Sequence, residues 1–177
     1  VARGYGAETP FLRPAELSDD HTGTIPVVAH AINKLQNSEN KIDRVCCIYA
    51  TAPFIQEVDL INSLEQLEKE DVNFCFTVTN YPFPIQRAFR ITKENCCEMF
   101  QPEMFNMRSQ DLDEAFHDAG QLYWGKTSAW LETEQMFSLK STPYILPRYL
   151  VQDIDTEEDW IQAELMFKAL KLSDKNQ

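Results

Sequence analysis

Two aspartates near the C-terminal end are the residues of this sequence whose type and spacing point most directly to chemistry. Asp153 and Asp155 stand at alternate positions, just before a marked helix start. If residues 149–155 are extended, both side chains project from the same side of the strand. Two carboxylates so placed repel each other unless a cation lies between them, and carboxylates paired with substrate phosphates are how proteins usually hold Mg²⁺. A magnesium site is therefore one interpretation of this spacing.

The same residues have a structural interpretation. An acidic turn can simply be solvated, with Thr156 capping the helix that follows and Asp159 closing a capping box. The cap is expected in either case, so the two interpretations are compatible and both stay open.

Two other polar loops carry groups that could meet a ligand. Thr51, in Thr51-Ala52-Pro53, ends an apolar run and either donates to a ligand or only terminates a strand. Arg108 can grip a carboxylate or phosphate in bidentate fashion, and Gln110 can read hydroxyl or amide groups of the same ligand. The alternative for Arg108 is a surface ion pair with a nearby aspartate, Asp111 or Asp113.

Composition and charge restrict the class of protein. The 177 residues are 44% hydrophobic, which suits a single globular domain spanning residues 1–177. The net charge of −12 argues against nonspecific binding to nucleic acid or to an anionic membrane surface. No apolar run approaches the roughly 18 residues of a membrane helix. Five cysteines without CxxC spacing make zinc unexpected and favour small, mostly buried thiols in a reducing, cytoplasmic compartment.

The first 80 residues alternate between helical and strand patterns. The prediction is a helix at 24–35, a strand at 45–50 covered on both faces, a helix at 58–70 and a buried strand at 74–79. On the second helix we expect Val58, Ile61, Leu64 and Leu67 to share the buried face. This order predicts an α/β, Rossmann-like layered sheet. Loops at the carboxyl ends of its strands should then bring together Thr51-Ala52-Pro53, the segment after Thr79, and the Asp153–Asp155 pair.

The rest of the chain is more irregular. The patterns predict a β-hairpin from residues 87–92 and 96–100, a strand at 121–125, a helix at 128–137 and a strand at 150–154 that returns to the main sheet. A last helix at 157–170 is expected to face inward with Trp160, Ala163, Phe167 and Leu170.

Four segments, taken in order, resemble the CMP-sugar synthetases of nonulosonic acids. They are residues 8–20, 48–54, 108–112 and 153–160, and the resemblance extends over nearly all 177 residues. Ala119-Gly120-Gln121-Leu122-Tyr123 departs from the Asn-Gly-Ala-Ile-Tyr usual in sialic acid synthetases, and Tyr49-Ala50-Thr51-Ala52-Pro53 departs from their Gln-Pro-Thr-Ser-Pro. Both departures favour the pseudaminic branch of the family.

The resemblance implies a fold and a reaction. The fold is a nucleotide-diphospho-sugar transferase sheet with a projecting α+β segment, residues 81–140, that carries dimerisation and sugar contacts. The reaction is transfer of CMP from CTP to a nonulosonic acid, here pseudaminic acid, with release of pyrophosphate. A cytoplasmic homodimer that uses Mg²⁺ is expected.

The resemblance also implies roles for individual residues. Asp153 and Asp155 match the acidic pair that holds Mg²⁺ and serves catalysis. Arg108 and Gln110 match the sugar-site region, where an arginine would meet the sugar acid. Thr51-Ala52 matches a loop beside the nucleotide.

One family feature has no counterpart in this sequence. The first strand of these synthetases ends in a basic turn, roughly Ala-Arg-x-x-Ser-Lys, that cradles the triphosphate. We therefore expect a sheet incomplete at its N-terminal side, and a polypeptide that is weakly active or inactive without that turn. The alternative function is a non-catalytic module that binds a sugar acid or dimerises.

Overall fold

The computed structural model describes residues 1–37, 39–132 and 135–174, with backbone alone at 173 and 174. The helices are α1 (Thr24–Leu35), α2 (Glu57–Leu67), α3 (Thr127–Glu132) and α4 (Glu157–Asp174). The strands are β1 (Arg44–Ile48), β2 (Phe74–Asn80), β3 (Phe89–Ile91), β4 (Cys97–Met99), β5 (Phe116–Lys126) and β6 (Ser141–Ile145).

The strands form two sheets. The larger has four strands in the order β1-β5-β2-β6, and the smaller is an antiparallel β3–β4 ribbon in which Phe89 pairs with Met99 and Ile91 with Cys97. β2 is buried from Phe74 to Thr79, as predicted from its mostly apolar and β-branched residues. The α/β class and the hairpin are thereby confirmed.

The chain divides into two compact units. Unit 1 comprises Val1–Cys47, Asn62–Cys75 and Tyr123–Thr142, and unit 2 comprises Ile48–Ile61, Phe76–Leu122 and Pro143–Gln177. The single domain with an inserted 81–140 segment stays a prediction.

The core of unit 1 is built around Trp130 of α3. Its ring meets Phe74 edge-on, with centroids 5.0 Å apart and an interplanar angle of 88°. Its indole N–H donates to the Val45 carbonyl oxygen at 3.3 Å, so the polar atom of this buried side chain is satisfied. His30 of α1 packs edge-on against Phe11 at 5.7 Å.

Unit 2 combines an apolar core with buried hydroxyls. Apolar core residues include Phe54, Phe76, Val78, Leu122 and Leu146. The Thr77 hydroxyl accepts from the Leu122 N–H at 3.1 Å, and the Thr79 hydroxyl donates to the Leu146 carbonyl oxygen at 2.9 Å. Polar residues can be buried on β2 because each finds a backbone partner.

The strand predicted at 150–154 is wrong. The strand of this region is β6, Ser141–Ile145, while Arg148–Leu150 forms a 3₁₀ turn and residues 151–154 have no regular structure. Pro143 concealed β6, because proline cannot donate to a sheet ladder and reads as a strand breaker. β6 is the last strand of the sheet, and an edge position tolerates proline.

The predicted buried face of α2 is partly wrong. Val58 and Ile61 are 55% and 53% exposed, whereas Asp59 and Ser63 are buried together with Leu67. The Asp59 carboxylate accepts from the Gln56 N–H at 3.0 Å and from the Tyr144 hydroxyl at 3.2 Å. A carboxylate with two donors can be buried, which apolar periodicity does not anticipate.

Two further burial predictions need correction. β1 is half-buried rather than covered on both faces, because it is the terminal strand of the sheet; Ile48 is exposed. On α4, Ala163 is buried, but Leu170 is partly exposed and Trp160 and Phe167 are 54% and 48% exposed. The apolar residues of α4 are spread around the helix, so no single face can bury them all.

Two element boundaries also differ. The strand predicted at 121–125 is the middle of the longer β5. The helix predicted at 128–137 is described from Thr127 to Glu132; residues 133 and 134 lie outside the described residues, and 135–137 are not helical. The Ser141 hydroxyl donates to the Met136 carbonyl oxygen, which holds this stretch in a turn.

Gly125 provides a test of the packing in unit 1. A Cβ at Gly125 would lie 2.7 Å from two ring carbons of Phe74 and would also clash with the Trp130 indole nitrogen. We expect Gly125→Ala to lower the free energy of unfolding by about 1–3 kcal/mol, the usual cost of overpacking a core. Denaturant unfolding measures this. Gly4→Ala, where a Cβ meets nothing within 4 Å, is the control, and equal stability of the two variants would contradict the prediction.

Candidate functional site

A hydrogen bond in unit 2 joins two of the loops that the sequence singles out. The Thr51 hydroxyl donates to Asp153 Oδ1 at 3.0 Å, across 102 positions of sequence. Thr51 lies in the turn after β1, where the Ala52 N–H donates to the Tyr49 carbonyl oxygen at 3.2 Å. Thr51 and Asp153 therefore lie together, although Asp153 is on an irregular segment and not at the end of the strand that the prediction assumed.

Asp153 lies against the backbone of Gly120 in β5. Gly120 has φ +64°, and a Cβ there would lie 2.9 Å from Asp153 Oδ2 and 3.2 Å from its Cγ. Two constraints therefore require glycine: the left-handed backbone and the close approach of the carboxylate. The Asp118 carboxylate accepts from the Gly120 N–H at 3.0 Å and supports this conformation.

The next residue of β5 contacts both loops. The backbone carbonyl oxygen of Gln121 accepts from the Tyr49 N–H at 2.9 Å, and its side-chain Nε2 donates to the Leu150 carbonyl oxygen at 2.9 Å. From the sequence, Gly120 and Gln121 are noted only because residues 119–123 differ from the sialic acid synthetases, and no contact is predicted for them. A glycine beside a polar residue in an apolar strand is the signal that points to them.

Asp155 stands at the start of α4, where the predicted capping box is confirmed. Asp159 Oδ2 accepts from the Thr156 N–H at 2.9 Å and the Asp155 N–H at 3.2 Å, while the Thr156 hydroxyl accepts from the Asp159 N–H at 3.3 Å. The carboxylate of Asp155 is exposed and forms no hydrogen bond or ion pair within the described residues. Its oxygens are thus available to a ligand.

Hydrogen bonding lowers the pKa of Asp159. The largest contribution is the hydroxyl of Thr156, followed by the backbone N–H of the same residue. Both donors favour the ionised carboxylate, so the cap depends on Asp159 being charged.

Arg108 and Gln110 lie on a different turn of unit 2. The guanidinium of Arg108 forms a bidentate pair with Asp111, with distances of 2.7 Å (Nε to Oδ2) and 3.1 Å (Nη2 to Oδ1). The surface ion pair that was the alternative interpretation of Arg108 is therefore present, with Asp111 as the partner. In the described part of the chain, no hydrogen bond or ion pair links Arg108 or Gln110 to Asp153.

A cavity of about 170 Å³ lies beside this turn. Its lining consists of Tyr81, Pro82, Phe83, Pro84, Ser109, Leu112, Asp113, Glu114 and Ala115. The Arg108 side chain is 71% exposed, so its pair with Asp111 is weak and the guanidinium can exchange partners.

The cysteines of unit 1 do not contribute reactive groups. Burial raises the pKa of the Cys46 thiol and of the Cys75 thiol, each to about 12. Thiols with such pKa values stay protonated near neutral pH. The predicted burial is confirmed for Cys75, whereas Cys46 and Cys47 are only partly buried because β1 is the terminal strand of the sheet.

No protein-family model matches the chain. Pseudaminic acid cytidylyltransferase of Campylobacter jejuni subsp. jejuni serotype O:2 is 42% identical over 168 residues, which cover 95% of this chain and 72% of that protein. This chain belongs to the pseudaminic acid cytidylyltransferase family. The branch prediction from residues 119–123 is thereby confirmed.

Two further relatives of this cytidylyltransferase family member have lower sequence identity. The Helicobacter pylori protein named pseudaminic acid cytidylyltransferase and UDP-2,4-diacetamido-2,4,6-trideoxy-beta-L-altropyranose hydrolase is 36% identical over 87% of this chain and 29% of its own length. CMP-N,N'-diacetyllegionaminic acid synthase of Legionella pneumophila is 25% identical over 95% of this chain and 72% of its own.

A solved structure shares the fold. CMP:2-keto-3-deoxy-manno-octonic acid synthetase complexed with CTP superposes with a TM-score of 0.58 at 9% identity, over 95% of this chain and 75% of that one. In the described residues of the cytidylyltransferase-family chain, no helix combines the length and apolar character needed to cross a membrane.

Replacing Gly120 should uncouple Asp153 from Thr51. In Gly120→Ala the new methyl group displaces the Asp153 carboxylate, so adding Thr51→Val should cost no further stability, whereas Thr51→Val alone should lower it. A double-mutant cycle of unfolding free energies measures this. Gly6→Ala is the control, because Gly6 has φ +87° with nothing within 4 Å of its Cβ position and so shares only the backbone strain, about 1–2 kcal/mol. Additive effects of Gly120→Ala and Thr51→Val would refute the coupling.

The capping box predicts a pH dependence. Because the folded-state pKa of Asp159 is lowered, its contribution to stability is present above the ordinary value of 3.8 and is lost as the pH falls through the lowered pKa. Thr156→Val removes the main cause, so the stability difference from the parent should be largest above pH 4 or so and shrink below it. Unfolding measured across pH tests this. Thr92→Val is the control, since its hydroxyl accepts from a backbone N–H and should give no such trend. A difference for Thr156→Val that is constant with pH would contradict the prediction.

Proposed function

We propose that this chain transfers CMP from CTP to a nonulosonic acid, with pseudaminic acid the substrate, and releases pyrophosphate. The observation that carries the proposal is the 42% identity to a pseudaminic acid cytidylyltransferase across 95% of the chain. The convergence of Thr51 and Asp153 supports it, because it places a hydroxyl and a carboxylate together after a strand of an α/β sheet.

Asp153 and Asp155 are the residues that would hold Mg²⁺. Their donor set consists of exposed carboxylate oxygens, which suits a hard cation that keeps several waters and shares substrate phosphates. In the described residues, no group of three or more His, Cys, Asp or Glu side chains is placed to hold a metal ion. When bound, the ion would offset negative charge on the phosphate oxygens.

The loop after β1 would orient the nucleotide and Asp153. The Thr51 hydroxyl donates a hydrogen bond to Oδ1 of Asp153 and so fixes the orientation of that carboxylate. Its other oxygen, Oδ2, lies close to the backbone of Gly120. Ala52 follows in the same turn with a small side chain that permits a close approach of the nucleotide. These contacts would orient the nucleotide and Asp153. Phosphoryl transfer depends on such orientation because most of its catalysis is positioning and charge stabilisation.

Arg108 and Gln110 would recognise the sugar acid. Asp111 holds the guanidinium of Arg108 through two hydrogen bonds, and the carboxylate of the sugar could replace it with the same bidentate geometry. Gln110, two positions on and exposed, would read hydroxyl or amide groups of the same ligand. A local arginine is needed because the chain as a whole carries a charge of −12.

The reaction that these residues would serve is an in-line displacement. The anomeric hydroxyl oxygen of the sugar forms a bond to the α-phosphorus of CTP, the bond from that phosphorus to the bridging oxygen breaks, and pyrophosphate leaves with the bonding pair. The hydroxyl proton passes to solvent or to a nearby carboxylate.

The proposal includes a cytoplasmic homodimer formed through the 81–140 segment. Apolar side chains on the β3–β4 ribbon support it: Phe89 and Ile91 are 54% and 68% exposed. An apolar cavity of about 290 Å³ lined by Arg87, Phe89, Cys97, Met99 and Phe105 lies on the same segment. Exposed apolar surface of this kind typically marks an interface between proteins.

Asp155→Asn tests the metal role directly. We expect Mg²⁺-dependent release of pyrophosphate from CTP and pseudaminic acid to fall by about 10²-fold or more, the scale of removing one charge-stabilising group, with the unfolding transition unchanged. Glu158→Gln, an exposed acidic residue of the first turn of α4, is the matched control and should keep full activity.

The assay needs the Campylobacter jejuni relative as a positive control. Full activity of Asp155→Asn would remove Asp155 from the site. Because the chain is expected to be weak without the basic triphosphate turn, the assay is repeated with a turn of that kind added at its N-terminal side. Absence of turnover by both forms while the relative is active would refute the proposed transfer reaction and favour the non-catalytic sugar-binding module.

A further inference from the structure

We propose that Gln121 is a positioning residue for the reaction, one that holds the segment carrying Asp153 in place through its side-chain amide. The inference rests on the proposed function, since it presumes that Asp153 acts on the metal and the triphosphate. It extends that function to a residue that contacts neither.

The amide of Gln121 connects an irregular segment of the chain to β5. Residues 151–154 belong to no helix or strand, and Leu150 closes the 3₁₀ turn that precedes them. Gln121 is 0% exposed, and its Nε2 donates to the Leu150 carbonyl oxygen at 2.9 Å. A buried, rigid side chain on β5 thereby fixes the chain three residues before Asp153.

The backbone of the same residue anchors the partner loop. The Gln121 carbonyl oxygen accepts from the Tyr49 N–H at 2.9 Å, two residues before Thr51. Its neighbour Gly120 lies against the Asp153 carboxylate. Two consecutive residues of β5 therefore contact the two segments that the hydrogen bond between Thr51 and Asp153 joins. They fix both segments relative to β5.

The second amide atom of Gln121 shows that stability alone does not explain the residue. Its Oε1 is buried and has no hydrogen-bond partner within the described part of the chain. Exchanging the two amide atoms would not help, because only the NH₂ group can donate to the carbonyl oxygen of Leu150. A buried acceptor without a partner costs free energy, and an apolar side chain of similar volume would avoid that cost.

Positioning matters here because Asp153 is an exposed carboxylate on an irregular segment. Small misplacements of a group that meets a metal and a phosphate are costly, and removing outer contacts that orient such ligands typically lowers metal affinity 10- to 100-fold. The amide of Gln121 supplies that orientation from inside the core.

Gln121→Met tests the inference, since methionine keeps the length and volume but cannot donate. We expect amide hydrogen exchange at residues 151–155 to accelerate at least about tenfold, while the midpoint of global unfolding stays the same or rises. In the pyrophosphate-release assay, the Mg²⁺ concentration for half-maximal rate should increase about tenfold or more, with a smaller change in the rate at saturating Mg²⁺.

Thr79→Val is the matched control. Thr79 is 2% exposed and its hydroxyl donates to the Leu146 carbonyl oxygen at 2.9 Å, so the variant also loses a buried bond from a strand to a backbone carbonyl. We expect it to lower the unfolding midpoint, and to leave both the exchange at 151–155 and the Mg²⁺ dependence unchanged.

The readouts separate this inference from the proposed function. Unchanged exchange at residues 151–155 in Gln121→Met would overturn the inference, whatever the activity. A fall in its unfolding midpoint as large as that of Thr79→Val would also overturn it, because Gln121 would then be an ordinary structural residue. No turnover by the parent chain with or without an added basic turn, together with faster exchange in the variant, would count against the transfer reaction and not against the anchoring role.

Discussion

The hydrogen bond between the Thr51 hydroxyl and the Asp153 carboxylate is the interaction on which the candidate site depends. It joins a turn after β1 to an irregular segment before α4, and neither has secondary structure of its own to hold it. Two residues of β5 set their relative position. Gly120 leaves room for the Asp153 carboxylate, and Gln121 forms hydrogen bonds with the backbone of both segments. One strand, β5, therefore positions both of these segments, and the two residues through which it does so carry no charge.

The proposed site also has to accommodate several negatively charged groups. The chain carries −12, and its proposed substrates are a triphosphate and a sugar acid. Asp153 and Asp155 add further negative charge where the triphosphate would bind, so a divalent cation between them has an electrostatic reason to be there. Arg108 forms a bidentate pair with Asp111, and in the proposed function the carboxylate of the sugar would replace Asp111 in that geometry.

Patterns of local chemistry predicted much of this molecule. The α/β class, α1, β2, the β3–β4 hairpin and the cap formed by Thr156 and Asp159 follow from periodicity and turn residues, which act within a few positions of the chain. Features set by distant partners were missed. Asp59 is buried because Tyr144 donates to it, and the contacts of Gly120 and Gln121 come from residues far away in the sequence, at positions 49, 150 and 153. Burial on α4 was wrong because an even spread of apolar side chains does not say which of them a neighbour will cover.

The proline that concealed β6 has a consequence for association. The Leu146 N–H donates to the Val78 carbonyl oxygen of β2, and since N–H groups alternate in direction along an extended chain, position 143 faces away from the sheet. Pro143 therefore leaves the outer rim of β6 without one of the donors that an incoming strand would need to complete a ladder. The outer edge of β6 is therefore a poorer template for pairing with a strand of another molecule, which is how open sheets aggregate. The protection comes from the missing backbone N–H of proline and not from charge.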